Sequence, residues 1–292
     1  ACRPITAAAP VPTAATSPAN TPQPTAAAAA APAVAASYIT PVALAAQQLV
    51  AKIPVGSSPH RIAVGESGVW VTNENDDTVS RIDPQTNQVV ATIPVGDYPR
   101  SLATGFGSVW IANNDSATIS RIDPATNEII ATIPVAPGTR GITSSSDAVW
   151  VASGANGTVF RIDPDTNEIL ATIDVGGNPA QMVALDNGIW VTNRGNKKLV
   201  RIDPATNSVA ATIDLGCTTV GLAADATATW AACESDGTLF RIDPNTNGIA
   251  AKVPIAMNSW AIALGQDAVW VTSDLQNTLT LVDPRTNTVA GI

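Results

Sequence analysis

Four side chains that could bind or transform a ligand share one position in a 40-residue spacing. His60 is the only histidine in the chain, and an imidazole that titrates near neutral pH can act as a general base. Arg100 and Arg140 would offer guanidinium groups to an anion, and Trp260 would offer an aromatic platform. If the four converge, they predict a concave binding site for a small molecule.

A second recurring position carries short polar side chains. Its members in chain order are Asn73, Asn113, Ser153, Asn193, Cys233 and Ser273. We expect the asparagines among them, Asn73, Asn113 and Asn193, to offer hydrogen-bonding groups to the same ligand.

Two of the three cysteines, Cys217 and Cys233, fall within a single repeat on segments that we expect to be adjacent. An oxidising compartment would permit a disulfide between them, and two buried free thiols are the alternative. A bridge across so short a loop would contribute on the order of 3 kcal/mol to stability rather than any chemistry.

Several kinds of site find no support in the sequence. There is no Cys-x-x-Cys and no pair of histidines, so the ligand spacing of a zinc site is missing. A glycine-rich phosphate loop and a Ser–His–Asp arrangement are missing as well. We therefore expect no cofactor, apart from the Mg²⁺ that one resemblance described below would require.

The elements that must position these side chains form a six-fold repeat. Six tryptophans mark it, at Trp70, Trp110, Trp150, Trp190, Trp230 and Trp270. A block of sequence Arg-Ile-Asp-Pro-x-Thr-Asn begins at Arg81 and recurs every 40 residues, until it becomes Leu-Val-Asp-Pro-Arg-Thr-Asn at Leu281. Repeats of this length bury their apolar faces by stacking on their neighbours.

Each repeat contains four short β-branched segments separated by turn residues, and no helical pattern occurs. In residues 83–87, Pro84 presets the turn, Asp83 accepts backbone hydrogen bonds across it, and Asn87 tolerates the left-handed conformation. Four-stranded units at this period predict an all-β fold, a β-propeller of four-stranded blades. Six blades fit best. Residues 48–55 would form an extra fourth strand before the first repeat, and residues 288–292 would form a shortened fourth strand at the end of the last repeat. Seven are possible if the chain is truncated.

The repeat carries a resemblance to known families. The segments Val-Thr-Asn at residues 71–73, Asp-Thr-Val at 77–79 and Val-Ala-Thr-Ile-Pro-Val-Gly at 90–96 resemble the YVTN-family β-propeller repeat. The Val-Trp-Val and Arg-Ile-Asp-Pro forms are also similar to propellers of the streptogramin (virginiamycin B) lyase type. The resemblance covers residues 48–292, and the YVTN family implies a bacterial or archaeal cell-surface or periplasmic protein.

The lyase-type resemblance implies a specific activity. Those enzymes open a cyclic ester by elimination, with a histidine base and a Mg²⁺ ion held among carboxylates. Here it would make His60 the catalytic base, and the carboxylates it points to are Glu74, Asp97, Asp115 and Glu234. Such enzymes use more than one histidine at the site, whereas this chain has only one.

The propeller interpretation places the recurring positions. The first strand of each blade runs along the central channel, so the residues that open these strands should meet at one mouth of it. They are His60, Arg100, Arg140, Ala180, Val220 and Trp260. We expect the repeated tryptophans to pack between blades, and the Arg81 series to pair with aspartates or carbonyl groups at the blade junctions. Alternatively, the mouth residues are ordinary solvated loop residues.

The remaining sequence features concern location and partners. Residues 1–47 are rich in Ala, Pro and Thr, which predicts a disordered tether, and Cys2 at its start resembles the lipidated cysteine of a bacterial lipoprotein. A net charge of −9 argues against nucleic acid as a partner. We expect an extracytoplasmic monomer of the cell envelope that contacts the membrane only through a lipid anchor.

Three functions stay open at this point. The leading one is a binding or scaffold module whose propeller, residues 48–292, recognises a small molecule or a segment of an envelope protein. The second is a lyase of the streptogramin B type that depends on Mg²⁺ and on His60. The third is a purely structural repeat of the cell surface.

Overall fold

The structure is a computed structural model, and it describes residues 51–265 and 267–291. The predicted tether of residues 1–47 and the predicted lipidation of Cys2 lie outside the described residues. Within them every regular element is a β-strand, so the prediction of an all-β fold is confirmed. No helix in the described part of the chain is long and apolar enough to span a membrane.

Twenty-four strands form six four-stranded sheets, one for each repeat. Blade 1 contains β1 (Pro59–Gly65), β2 (Gly68–Asn73), β3 (Thr78–Asp83) and β4 (Gln88–Pro94). Blade 2 contains β5 (Pro99–Gly105), β6 (Ser108–Asn113), β7 (Thr118–Asp123) and β8 (Glu128–Pro134). Blade 3 contains β9 (Thr139–Ser144), β10 (Val149–Ser153), β11 (Thr158–Ile162) and β12 (Ile169–Asp174).

The second half of the chain repeats the pattern. Blade 4 contains β13 (Pro179–Leu185), β14 (Gly188–Asn193), β15 (Lys198–Asp203) and β16 (Ser208–Asp214). Blade 5 contains β17 (Thr219–Ala224), β18 (Thr229–Cys233), β19 (Thr238–Asp243) and β20 (Gly248–Pro254). Blade 6 contains β21 (Ser259–Gly265), β22 (Ala268–Ser273), β23 (Thr278–Asp283) and β24 (Thr288–Gly291).

Every sheet is an antiparallel meander in chain order, and from blade 1 to blade 6 the first strands of consecutive blades pack against each other. Six such sheets make a six-bladed β-propeller, as predicted. The turn between the third and fourth strands also follows the prediction. Asp83 Oδ1 accepts a 2.8 Å hydrogen bond from the Gln85 amide, and Asn87 adopts a φ of 56°.

The core lies between the blades and is built around the repeated tryptophans. Trp70 is fully buried, and it packs with Leu102, Val109 and Ile111 of the following blade. The tryptophans at 110, 150, 190 and 230 are buried in the same way. An aromatic side chain of this size buries a large apolar area between successive blades.

An arginine clamp connects successive blades beside the tryptophans at positions 70, 110, 150 and 230. Arg81 lies over the Trp70 ring, 5.2 Å from its centroid, and donates hydrogen bonds to Pro124 O at 2.5 Å and to Asn127 Oδ1 at 2.8 Å. Arg121 and Arg161 make the equivalent bonds to the turns of the blades that follow them. The clamp therefore uses backbone carbonyls, as expected, together with the amide oxygen of the turn asparagine. Arg161 also forms an ion pair with the Asp147 carboxylate of its own blade.

A disulfide joins Cys217 to Cys233 in blade 5, with Cα atoms 6.0 Å apart. The same two positions are linked differently in other blades. Ser153 donates a 2.7 Å hydrogen bond to Pro137 O in blade 3, and Ser273 donates one of 2.7 Å to Met257 O in blade 6. The disulfide is thus the covalent counterpart of a recurring hydrogen bond that holds the loop onto the second strand.

The junction between blades 6 and 1 differs from the other five. The first strands β21 and β1 do not pack closely, and Ile62 and Val64 of β1 are 67% and 76% exposed, whereas the equivalent Leu102 is 8% exposed. A fourth strand was expected over residues 48–55. Residues 51–55 have no regular structure, and residues 48–50 lie outside the described part of the chain. A strand needs a sheet to pair with, and sequence pattern alone does not supply one.

Candidate functional site

A cavity of about 170 Å³ opens at one mouth of the central channel, and we call it the channel mouth. All six residues predicted from the first strands line it, namely His60, Arg100, Arg140, Ala180, Val220 and Trp260. Four further residues complete the lining, namely Arg61, Gln181, Arg194 and Ala261. Every blade contributes at least one side chain, so the site is a property of the ring and not of any single repeat.

A β-bulge near the start of each first strand places these side chains. In blade 1 the pairing with β2 passes from Pro59 directly to Ile62, so His60 and Arg61 have no partner in the ladder. In blade 2 it passes from Pro99 to Ser101 and leaves out Arg100, and in blade 3 Arg140 is left out. A bulge bends its strand and redirects a side chain, here toward the channel.

The channel mouth is rich in positive charge. It contains four guanidinium groups, from Arg61, Arg100, Arg140 and Arg194. Two buried or half-buried carboxylates lie close to it: Arg194 Nη2 is 3.3 Å from Glu234 Oε2, and Glu74 Oε1 is 3.3 Å from His60 Nδ1. Arginines therefore outnumber carboxylates in a protein whose net charge is −9.

The arginines of the channel mouth raise one another's electrostatic free energy. Burial lowers the pKa of Arg61, and the neighbouring charge of Arg100 lowers it further, against the opposing influence of Glu74. Burial also lowers the pKa of Arg140, followed by the charges of Arg100 and Arg194. The Nε of Arg140 is buried and has no hydrogen-bond partner among the described residues. A bound anion would relieve this repulsion and provide an acceptor.

His60 is anchored through one ring nitrogen. Its Nδ1 lies 2.8 Å from Arg100 O, and because a carbonyl oxygen only accepts, Nδ1 carries the proton. In the neutral ring Nε2 then holds the lone pair. Burial lowers the pKa of His60 from its ordinary value of 6.5, while the bond to Arg100 and the Glu74 carboxylate raise it in part.

The asparagines expected at the site do not line the cavity. Asn73 is fully buried, and its Nδ2 donates to Thr78 Oγ1 and Ser80 Oγ at 3.0 Å each, within its own blade. Asn113 makes the same contacts in blade 2, and Asn193 holds the backbone of residues 175 and 176. These side chains stabilise the loops around the channel mouth. Successive side chains of a strand point to opposite faces, and those at the end of the second strand point into the blade.

Four residues of the cavity were missed by sequence reasoning, and one of them, Ala261, directly follows Trp260. Arg61 and Gln181 follow their predicted neighbours within the bulges, and Arg194 follows the end of β14. The only signal in the sequence was that each of these residues directly follows a residue predicted to belong to the site. Of the four carboxylates implied by the lyase resemblance, Glu74 and Glu234 lie next to the cavity, whereas Asp97 and Asp115 are not among its lining residues.

The donor set around the channel mouth does not fit a Mg²⁺ ion. This hard cation prefers carboxylate and carbonyl oxygens in octahedral geometry. Here Glu234 is paired with Arg194, Glu74 is the one other nearby carboxylate among the described residues that contact the cavity lining, and four guanidinium groups surround the space. Elsewhere in the described part of the chain, Cys217, Cys233 and Asp236 cluster together, but the two cysteines are consumed by the disulfide.

Comparisons with known proteins identify the fold. No protein-family model matches the chain, and no curated protein matches it. A streptogramin B lyase structure superposes with a TM-score of 0.71 at 21% identity, over 80% of this chain and 82% of the other. Hydrazine synthase from Kuenenia stuttgartiensis gives 0.69 at 16% identity, over 80% and 78%. The Pan2 WD40 domain of Neurospora crassa gives 0.67 at 12% identity, over 80% and 78%. Likenesses at this level of identity show that the chain shares the β-propeller fold with proteins of widely different function.

Proposed function

We propose that this protein is an extracytoplasmic binding module that recognises an anionic small molecule at the channel mouth. The observation that carries the proposal is the convergence of four arginines from different blades on one cavity. Their charges are only partly balanced by Glu74 and Glu234. Guanidinium groups held in this way bind carboxylate, sulfate or phosphate groups through paired hydrogen bonds.

The shape and lining of the cavity support a small ligand. Its volume of about 170 Å³ suits a molecule carrying one or two anionic groups better than a large cofactor. Trp260 is 38% exposed at the edge of the cavity and adds an apolar surface for the rest of such a molecule. Because the protein has a net negative charge, the rest of its surface repels anions, whereas the arginines of the channel mouth attract them.

The disulfide in blade 5 supports a location outside the cytoplasm. Structural disulfides persist in oxidising compartments and are rare where thiols are kept reduced. A cell-envelope location would give the channel mouth access to ligands in the periplasm or at the cell surface. An acidic segment of another envelope protein would offer the arginines the same anionic groups.

Isothermal titration with inorganic phosphate, sulfate and citrate tests the proposal. We expect at least one of these anions to bind, and we expect Arg100→Gln and Arg140→Gln each to weaken its affinity about 10- to 100-fold, the usual range for a lost charge-assisted hydrogen bond. Arg285→Gln is the matched control, because Arg285 pairs with Asp283 in the turn at the opposite end of blade 6. Absence of binding, or equal affinities in all three variants, would contradict the proposal.

A lyase activity is the second candidate, favoured by the lone pair on Nε2 of His60 beside the cavity and by the fold shared with a streptogramin B lyase. Mass spectrometry of a streptogramin B incubated with the protein would detect a linearised product. Turnover that disappears in His60→Gln would replace the binding module by an enzyme.

A further inference from the structure

The two sides of the channel mouth differ in chemical character. Its charged and polar side chains come from the first four blades, namely His60, Arg61, Arg100, Arg140, Gln181 and Arg194. Its apolar side chains come from blades 4, 5 and 6, namely Ala180, Val220, Trp260 and Ala261. Because consecutive blades are neighbours around the channel, each character occupies one continuous arc of the wall. We call these the cationic arc and the apolar arc.

The two arcs face each other across the channel. In a ring of six blades, each blade lies opposite the one three positions later in the chain. Arg100 of blade 2 is therefore opposite Val220 of blade 5. In the same way, Arg140 of blade 3 is opposite Trp260 of blade 6. A ligand that spans the mouth meets guanidinium groups at one end and apolar side chains at the other.

Two arginines of the cationic arc are available to an anion. Arg100 and Arg140 form no ion pair with any carboxylate in the described part of the chain, and the Nε of Arg140 is buried there without a hydrogen-bond partner. Arg194 differs, because its Nη2 lies 3.3 Å from Glu234 Oε2. One anionic group placed between Arg100 and Arg140 would accept charge-assisted hydrogen bonds from both.

The apolar arc offers a flat surface and no compensating charge. Trp260 is 38% exposed and lies outside the repeated series of tryptophans that pack between blades. Ala180 and Val220 are almost buried and carry no hydrogen-bonding group on their side chains. A second charged group on this side of the ligand would lose its hydration without gaining a partner, whereas an aromatic ring would stack on Trp260.

We propose that the ligand of the channel mouth is an aromatic acid with a single anionic group, which lies between Arg100 and Arg140 while the ring packs on Trp260. This inference rests on the proposed function, because it narrows the anionic small molecule to one class. The cavity volume of about 170 Å³ lies below the range of about 300–1,000 Å³ that is typical of drug-sized ligands, which favours a single ring. A carboxylate and a sulfonate on such a ring share this chemistry.

Isothermal titration with benzoate, acetate and benzamide tests the inference. Acetate has the anionic group without the ring, and benzamide has the ring without the charge. We expect benzoate to bind at least about 10-fold more tightly than either, because ring and charge contact different arcs. Terephthalate carries a second carboxylate at the far end of the ring, and we expect it to bind about 10-fold more weakly than benzoate.

Two substitutions assign the two arcs. We expect Trp260→Ala to weaken benzoate binding about 10-fold and to leave acetate binding unchanged, whereas Arg140→Gln should weaken both. Leu275→Ala is the matched control, because Leu275 is an apolar residue of blade 6 that is 68% exposed and does not line the cavity. The indole N–H signal of Trp260 in an NMR spectrum, identified by its loss in Trp260→Ala, should shift on addition of benzoate.

The possible outcomes separate this inference from the proposed function. Equal affinities for benzoate and acetate, or an equal loss of both in Trp260→Ala, would overturn the aromatic acid and leave the anion-binding module in place. Terephthalate that binds as tightly as benzoate would overturn the single anionic group. Benzamide that binds as tightly as benzoate, or no binding of any of these compounds and of inorganic phosphate, would overturn the inference and the proposed function together.

Discussion

His60 illustrates how much a single side chain is shaped by its surroundings. Its Nδ1 is fixed by the Arg100 carbonyl, and its charge state is set by burial against the attraction of Glu74. Since burial is the larger influence, the neutral ring is favoured in the folded protein. The cationic ring would add to the charge of the arginines, so protonation of His60 would strengthen anion binding.

An NMR titration of His60 tests this description directly, since the chain has no other histidine. We expect a pKa below 6.5, and in Glu74→Gln a further decrease, because that carboxylate raises the pKa of His60. A folded-state pKa below the unfolded one means that the stability contributed by neutral His60 is present above pH 6.5 and is lost as the pH falls from 6.5 through the folded-state value. A pKa that rises in Glu74→Gln would contradict this assignment.

The difference between Arg100 and Asn113 shows what sequence reveals at this scale. Both are polar residues at recurring positions, and both were predicted to bind a ligand. Arg100 lies in a bulge and lines the cavity, whereas Asn113 is buried and bonded to Thr118 and Ser120. Spacing identified both positions, but the direction of each side chain depends on a bulge that leaves no clear mark in the sequence.

At the scale of the element, the loop before each first strand is fastened to the end of the second strand. Blade 5 uses the disulfide between Cys217 and Cys233, and blade 6 uses the hydrogen bond from Ser273 to the Met257 carbonyl at the same positions. A loop of this size, with a sequence separation of 16, gives the disulfide a stabilising effect of about 3 kcal/mol. A single hydrogen bond contributes about 1 kcal/mol.

Urea unfolding of two double variants separates these contributions. We expect Cys217→Ala with Cys233→Ala to lower the free energy of unfolding of blade 5 by about 3 kcal/mol. Cys217→Met with Cys233→Ser reproduces the pair found in blade 6 and should recover about 1 kcal/mol of that loss. Equal midpoints for the two variants would show that the hydrogen bond does not replace the disulfide even in part.

At the scale of the whole molecule, the described blades are built from residues that follow the predicted tether. All described strands lie between Pro59 and Gly291. We therefore expect removal of residues 1–47 to shift the melting temperature by less than about 2 °C, since no packed blade is touched. Scanning calorimetry of the two forms measures it, and a drop of more than about 5 °C would show that the removed residues pack on the blades.

The sequence predicted the architecture well because the repeated residues are the structural ones. Trp70 and its equivalents fill the spaces between blades, and the turn at Asp83 ends each third strand, so their recurrence alone defines the blade. The prediction of a strand over residues 48–55 was wrong for residues 51–55, since strand pattern does not ensure a pairing edge. The partly open junction between blades 6 and 1 depends on how the first and last repeats meet. The clamp arginine is missing from the last repeat, where Leu281 takes its place.

The arginine clamps affect how the number of blades can change when the gene is altered. The clamps of Arg81, Arg121 and Arg161 join each arginine to residues 43 and 46 positions later, so they act between one blade and the next, in the same direction. Duplicating one of these 40-residue units in the gene would recreate the same clamp at the added junction. Blade number is therefore a quantity that recombination can alter in single steps, and the residues of the channel mouth are free to diverge in each copy.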